Sequence, residues 1–203
     1  MFFRQPMSLD MGCFLFLLVK AGKTAYTNTD LALGGNVMFK KIDPKDLEMN
    51  VFSAIDDQWM LITAGSVEKC NTMTASWGGL GILWNLPMAI AYIRPQRYTK
   101  QFVDENKYFT LTFFSEDYRR QLALCGTKSG RDMDKVKECG FTVVEAEGGA
   151  PYFEEADLVL VCRKRMVMPM DPAAIPDEVK EMHYKGDYHY IYWGEIVEAL
   201  VKV

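Results

Sequence analysis

The segment Tyr108 to Phe114, read Y-F-T-L-T-F-F, alternates large apolar and hydroxyl side chains, with Phe109, Leu111 and Phe113 on one side and Thr110 and Thr112 on the other. A period of two marks a strand with one buried face. Comparable apolar runs recur at Trp59 to Ala64, Met88 to Arg94, Phe141 to Glu145 and Leu158 to Arg163, and a long strand is expected over Tyr188 to Val201. The helices expected between them are short. One runs from Thr99, a good cap, to Asn106; a second covers Asp117 to Cys125. A third covers Asp132 to Cys139, capped by Asp132 and stopped by Gly140, and a fourth covers Pro176 to Tyr184. Strands come in runs rather than alternating with helices. A doubly wound parallel sheet is therefore a poor fit, and an antiparallel barrel, mainly β with short helices at its periphery, is expected.

A chain of 203 residues fits one domain with a substantial core. Its net charge of -4 argues against a general nucleic-acid binder, which carries a basic face. The five cysteines are odd in number and form no C-x-x-C pair, which points to reduced thiols and a cytoplasmic protein rather than a disulfide framework. With only His183 and His189 present, no metal site is expected. Met11 to Val19 is an apolar run too short to span a bilayer. It reads as a signal-peptide core, a lipoprotein signal or part of an upstream extension. We take residues 1–37 as an N-terminal extension and residues 38–203 as the domain, with no stable membrane insertion.

Asn71 to Gly78, read N-T-M-T-A-S-W-G, gathers an amide, three hydroxyls and an indole just after an apolar run. Such groups, with nearby glycines, suit the polar edge of a flat heteroaromatic ring. Arg94 to Thr99, R-P-Q-R-Y-T, lies between a strand end and a helix start. Helix N–H groups, the Arg97 guanidinium and the Thr99 hydroxyl together form a chemically complete phosphomonoester site; the plain alternative is a capped helix with two surface arginines. Cys125 to Asp132, C-G-T-K-S-G-R-D, lacks Walker spacing and reads alone as a polar loop. Gly78-Gly79-Leu80-Gly81 lacks the third glycine of the G-x-G-x-x-G pattern and the acidic residue that closes a dinucleotide-binding unit.

These three segments, with G-D-Y-H at Gly186 to His189, resemble the flavin reductase-like family, in its flavoredoxin branch of FMN-binding split barrels. The resemblance runs from about Met38 to the C-terminus. It implies a Greek-key split β-barrel, a homodimer with flavin at the interface, and FMN as cofactor. It places Asn71, Thr72, Met73, Thr74, Ala75, Ser76 and Trp77 along the ring, and Arg97, Tyr98 and Thr99 at the phosphate. Lys128, Ser129 and Arg131 lie nearby, and Trp59 comes within reach of the ring. The implied activity is an NAD(P)H-dependent flavin oxidoreductase with no essential acid or base, since electron delivery depends on stacking geometry. Two alternatives are a flavoredoxin-type carrier served by a redox protein partner and a non-catalytic module that has lost the flavin. Relatives carry G-D-H where this chain reads G-D-Y-H. Either a bulge keeps His189 toward the flavin, or Tyr188 takes its place.

Overall fold

A computed structural model describes residues 31–34 and 37–203. Among the described residues, eleven strands and five α-helices follow the expected class, and the fold is an antiparallel split β-barrel. The strands are β1 (Leu31–Gly34), β2 (Val37–Ile42), β3 (Met60–Gly65), β4 (Cys70–Ala75), β5 (Gly78–Leu83), β6 (Leu86–Ile93), β7 (Tyr108–Phe113), β8 (Val143–Glu145), β9 (Pro151–Phe153), β10 (Leu158–Pro169) and β11 (Tyr190–Lys202). The helices are α1 (Val51–Asp56), α2 (Thr99–Glu105), α3 (Arg119–Thr127), α4 (Lys135–Cys139) and α5 (Asp177–His183). Nine strands form one sheet in the order β1-β2-β11-β10-β7-β3-β4, with β6 also on β11 and β5 on β6. Strands β8 and β9 form a separate hairpin.

The sheet is covered on both sides, which explains why β7 is buried on both faces from Phe109 to Phe113 rather than on one. Phe109, Leu111 and Phe113 join the interior with Met60, Ile62, Ile93 and Tyr192. Leu61, Val159, Val161 and Leu200 face a second core with Phe39, Tyr152 and Phe153. Thr110 is buried beneath the β8–β9 hairpin and donates to the Pro151 carbonyl at 2.7 Å. The threonines of the alternating pattern thus mark a second buried layer, not a wet face.

Several local expectations shift. Helix α4 starts three residues later than expected, because Asp134 rather than Asp132 accepts from the Lys137 N–H at 3.1 Å. Gly140 does stop it, in the left-handed conformation with φ 68°. Thr99 is the first residue of α2, not its cap. Strand β10 runs to Pro169, beyond the expected Arg163. Among the described residues, no helix is long and apolar enough to cross a membrane.

The apolar run Met11 to Val19 lies outside the described residues. Met38, the expected domain start, falls inside β2, whose backbone pairs with β1 from Leu31↔Lys40 to Gly34↔Val37. Strand β2 in turn pairs with the end of β11. We therefore propose a boundary at Leu31. A chain begun at Leu31 is expected to be more stable than one begun at Met38, by on the order of 1 kcal/mol for the lost edge pairing. Thermal unfolding of the two products measures this, and equal midpoints would return the boundary to Met38.

Candidate functional site

Strand β4 organises the site because, among the described residues, only one of its edges is paired with a strand. It pairs with β3, while α3 and α4 pack against it. Its outward groups still need partners. The Lys135 ammonium donates to the Thr72 carbonyl at 2.9 Å and to the Cys125 carbonyl at 2.8 Å, and the Thr74 hydroxyl donates to the Leu122 carbonyl at 2.5 Å. Lys135 is 5% exposed, and no carboxylate of the described residues pairs with it. Burial pushes its pKa down, with further pressure from the Arg97 charge.

A cleft of about 440 Å³ opens beside this lysine, lined by Met73, Arg94, Gln96, Arg97, Tyr98, Thr99, Thr127, Lys128, Ser129, Gly130 and Lys135. No acidic side chain lines it. Arg97 donates to the Gly126 carbonyl at 2.6 Å, and its pKa is lowered by burial first and by Arg94 second. Arg94 is the one lining arginine with a counter-ion, 2.5 Å from Asp187. The helix start contributes less than its sequence promised. The Lys100 and Gln101 N–H groups already donate to the Arg97 and Tyr98 carbonyls. The positive potential therefore comes from Arg97, Lys128 and Lys135. Gly130 makes the loop's close approach feasible, since a Cβ there would lie 1.9 Å from an atom of the Asn71 side-chain amide.

A second cleft of about 240 Å³ continues from the first and shares Met73, Arg94 and Arg97 with it. Thr74, Ala75, Ser76, Trp77, Tyr92 and His189 complete its walls. The His189 ring lies 5.1 Å from Trp77, and its Nδ1 is 3.1 Å from the Tyr184 hydroxyl. Tyr188 instead stacks on Tyr184 at 4.9 Å. No bulge is needed for this: β11 begins only at Tyr190, and the extra residue is absorbed in the preceding loop, where Gly186 has φ 87°.

The structure thus brings together Met73, Thr74, Ala75, Ser76, Trp77, Arg97, Tyr98, Thr99, Lys128, Ser129 and His189. It sets four expected residues apart from both clefts. Asn71, with its amide oxygen turned toward α2, accepts from the Thr99 N–H at 3.2 Å and the Thr99 hydroxyl at 2.7 Å. That bond commits the only hydroxyl hydrogen of Thr99. Thr72 is fully buried, 2.9 Å from the Thr63 hydroxyl. Arg131 lies over the Tyr98 ring at 4.7 Å and donates to the Gln96 carbonyl. Trp59 lies under Arg119 at 3.4 Å from its ring centroid. Sequence reasoning missed Lys135 and Tyr92. A lysine in the first turn of a helix opposes the helix dipole, and that was the available signal for Lys135.

The sequence model of the flavin reductase like domain family matches residues 52–202. The chain belongs to this family. Flavoredoxin from Methanosarcina acetivorans is 25% identical, with a TM-score of 0.57 over 78% of this chain and 75% of that one. The FMN-binding domain of a flavin reductases-like enzyme from Shewanella baltica is 16% identical, with a TM-score of 0.58 over 80% and 76%. The NADH:FAD oxidoreductase of Streptomyces globisporus is 16% identical, with a TM-score of 0.53 over 71% and 81%. No curated protein matches the chain.

For a flavin reductase-like domain, the donor set suits a flavin mononucleotide. A phosphomonoester needs cations free of carboxylates, which Arg97, Lys128 and Lys135 supply. A flat ring needs a slot with aromatic walls, which Trp77, Tyr92 and His189 supply.

The His189 pKa is pushed down to about 4, by burial first and by Arg94 second. An unfolded histidine titrates near 6.5. Between these values the unfolded chain binds more protons than the folded one. The stability contributed by neutral His189 is therefore complete above about pH 6.5 and is lost as pH falls toward about 4. The separation corresponds to at most about 3.4 kcal/mol. Urea unfolding of apoprotein over this range is expected to show the loss, and His189→Gln to remove it. Identical acid sensitivity in the two proteins would assign it to other groups.

Proposed function

We propose that this protein is an FMN-binding oxidoreductase that takes electrons from NADH or NADPH. The observation that carries this reading is the continuous cleft, with unpaired cations at one end and aromatic walls at the other. Arg97, Lys128 and Lys135 hold the phosphate, with Ser129 adding a hydroxyl. Thr99 acts mainly by fixing Asn71 and the start of α2. Met73 to Ser76 lie along the ring, and Trp77 and His189 close its far end. When bound, the isoalloxazine supplies one- and two-electron redox chemistry. His189 is neutral at physiological pH, so it contacts a ligand there without adding charge.

We also propose a homodimer with the flavin at its interface. An apolar groove of about 690 Å³, lined by Phe52, Ile55, Trp77, Leu80 and Tyr92 among others, adjoins the aromatic end of the cleft. Phe52 is 86% exposed, Ile82 63% and Trp84 58%, on α1, on β5 and in the turn after it. An apolar groove with a strongly exposed aromatic side chain, Phe52, at its wall marks an interaction surface. Sedimentation is expected to give a dimer, and Phe52→Asp to shift it to monomer with about tenfold weaker FMN binding. A monomeric wild type with full FMN affinity would sink this proposal.

The function itself is tested by loading the protein with FMN and adding each nicotinamide anaerobically. Bleaching of the visible flavin absorbance is expected with at least one. If both leave it oxidised while a reduced redox protein bleaches it, the carrier reading, supported by the similarity to a flavoredoxin, takes its place. Arg97→Ala is expected to weaken FMN by about 1.5–3 kcal/mol, the scale of a hydrogen bond to a charged group. Wild-type affinity in that variant, measured by fluorescence titration, would put the phosphate elsewhere.

A further inference from the structure

Two of the cysteines lie in sulfur contact across the loop that lines the cationic cleft. The Sγ atoms of Cys125, on α3, and Cys139, the last residue of α4, are 3.6 Å apart. Thirteen residues separate them in sequence, and Thr127, Lys128, Ser129, Gly130 and Lys135 of that stretch line the cleft. We propose that Cys125 and Cys139 form a reversible disulfide site that fastens this loop. The closure needs the sulfurs to approach from 3.6 Å to about 2.05 Å, a shift of about 1.5 Å. No such partner is available to the other described thiols. Cys162 is fully buried on β10, and Cys70 on β4 has its thiol pushed up to about 11 by burial.

The two sulfurs have different roles. Cys125 is wholly buried and Cys139 half-buried, so an oxidant meets Cys139 first. The Cys125 S–H bond and the Lys135 charge lower the Cys139 pKa, against its burial, while the Cys125 thiol is raised. This makes Cys139 the thiolate nucleophile. With hydrogen peroxide as oxidant, the Cys139 thiolate attacks one oxygen and the O–O bond breaks. The departing hydroxide takes up the proton that the thiol had released and leaves as water. The Cys125 sulfur then displaces the sulfenic oxygen, which leaves as a second water with the Cys125 proton. Two thiols lose two electrons in total, and the peroxide gains them. A dithiol reductant reverses the bond by exchange.

The proposal does not depend on the ligand assigned to the cleft, and its test uses none. The full chain is treated with hydrogen peroxide, its remaining thiols are alkylated, and the digest is analysed by mass spectrometry. A linked Cys125–Cys139 peptide pair is expected, two hydrogens lighter than the reduced pair and separated by dithiothreitol. Amide hydrogen exchange across residues 126–134 is expected to slow in the linked protein. Cys139→Ser, at the half-buried position, should abolish the linked pair and retain the wild-type melting temperature of the reduced chain. Cys125→Ala should abolish it too. Cys139 carried only to sulfinic acid, linkage through Cys70 instead, or unchanged exchange across 126–134 in linked protein would overturn the proposal.

Discussion

The architecture depends on one long strand serving two partners along the same edge. Strand β11 pairs with β6 from Tyr190↔Ile93 to Glu195↔Met88, and then with β2 from Ala199↔Ile42 to Lys202↔Phe39. Its other edge is occupied along its length by β10, whose register shifts between Val161 and Cys162 and again between Lys164 and Met166. Such shifts bend and twist a ladder locally. Gly194 lies in the β6-paired part, where a Cβ would come within 2.7 Å of the Phe109 ring and 2.8 Å of the Cys162 Cβ. The missing side chain lets β7 and β10 close against β11.

That pairing also sets the site. Because Tyr190 stands opposite Ile93, the residues just outside the ladder, His189 and Arg94, become neighbours at one end of it. The ion pair of Arg94 with Asp187 ties the incoming loop to the end of β6, and Gln96 donates to the same carboxylate at 2.7 Å. The Lys185 N–H and Arg94 hold the Asp187 carboxyl far below the usual carboxylate range. The aromatic end of the cleft is thus built by sheet register, and the cationic end by helices packed against β4.

Legibility in the sequence followed the range of the interactions involved. The alternation in β7 and the apolar run in β3 are local, and both strands lie where expected. The place of the Arg97–Thr99 segment between a strand end and a helix start is local too, and it lies between β6 and α2. The roles of Asn71 and Thr72 were not readable, because their polar atoms are claimed by residues remote in sequence, Thr99 and Thr63. In D-M-D-K, either aspartate could cap a helix; Asp134 does so, while the Asp132 N–H closes a turn onto the Ser129 carbonyl at 3.1 Å. The inserted Tyr188 was read against strand geometry, but it lies one residue pair ahead of the strand, where a loop accommodates either count.

The cationic end has a consequence for selectivity. Burial lowers the tendency of both Arg97 and Lys135 to hold a proton; the Arg94 charge adds to this at Arg97, and the Arg97 charge at Lys135. In the apoprotein this arrangement works against folding, since buried charges of one sign lack compensation. Any dianion that reaches both groups relieves desolvation and repulsion together, and binding energy then appears as stability. A neutral or cationic ligand of the same shape relieves neither. The loop from Cys125 to Cys139 carries Lys128 and brings Lys135 to β4, so its anchoring decides how closely these charges are held. On the function proposed above, charge set by the loop selects the anionic end of the ligand, while the register of β11 sets, through His189, one wall for its aromatic end.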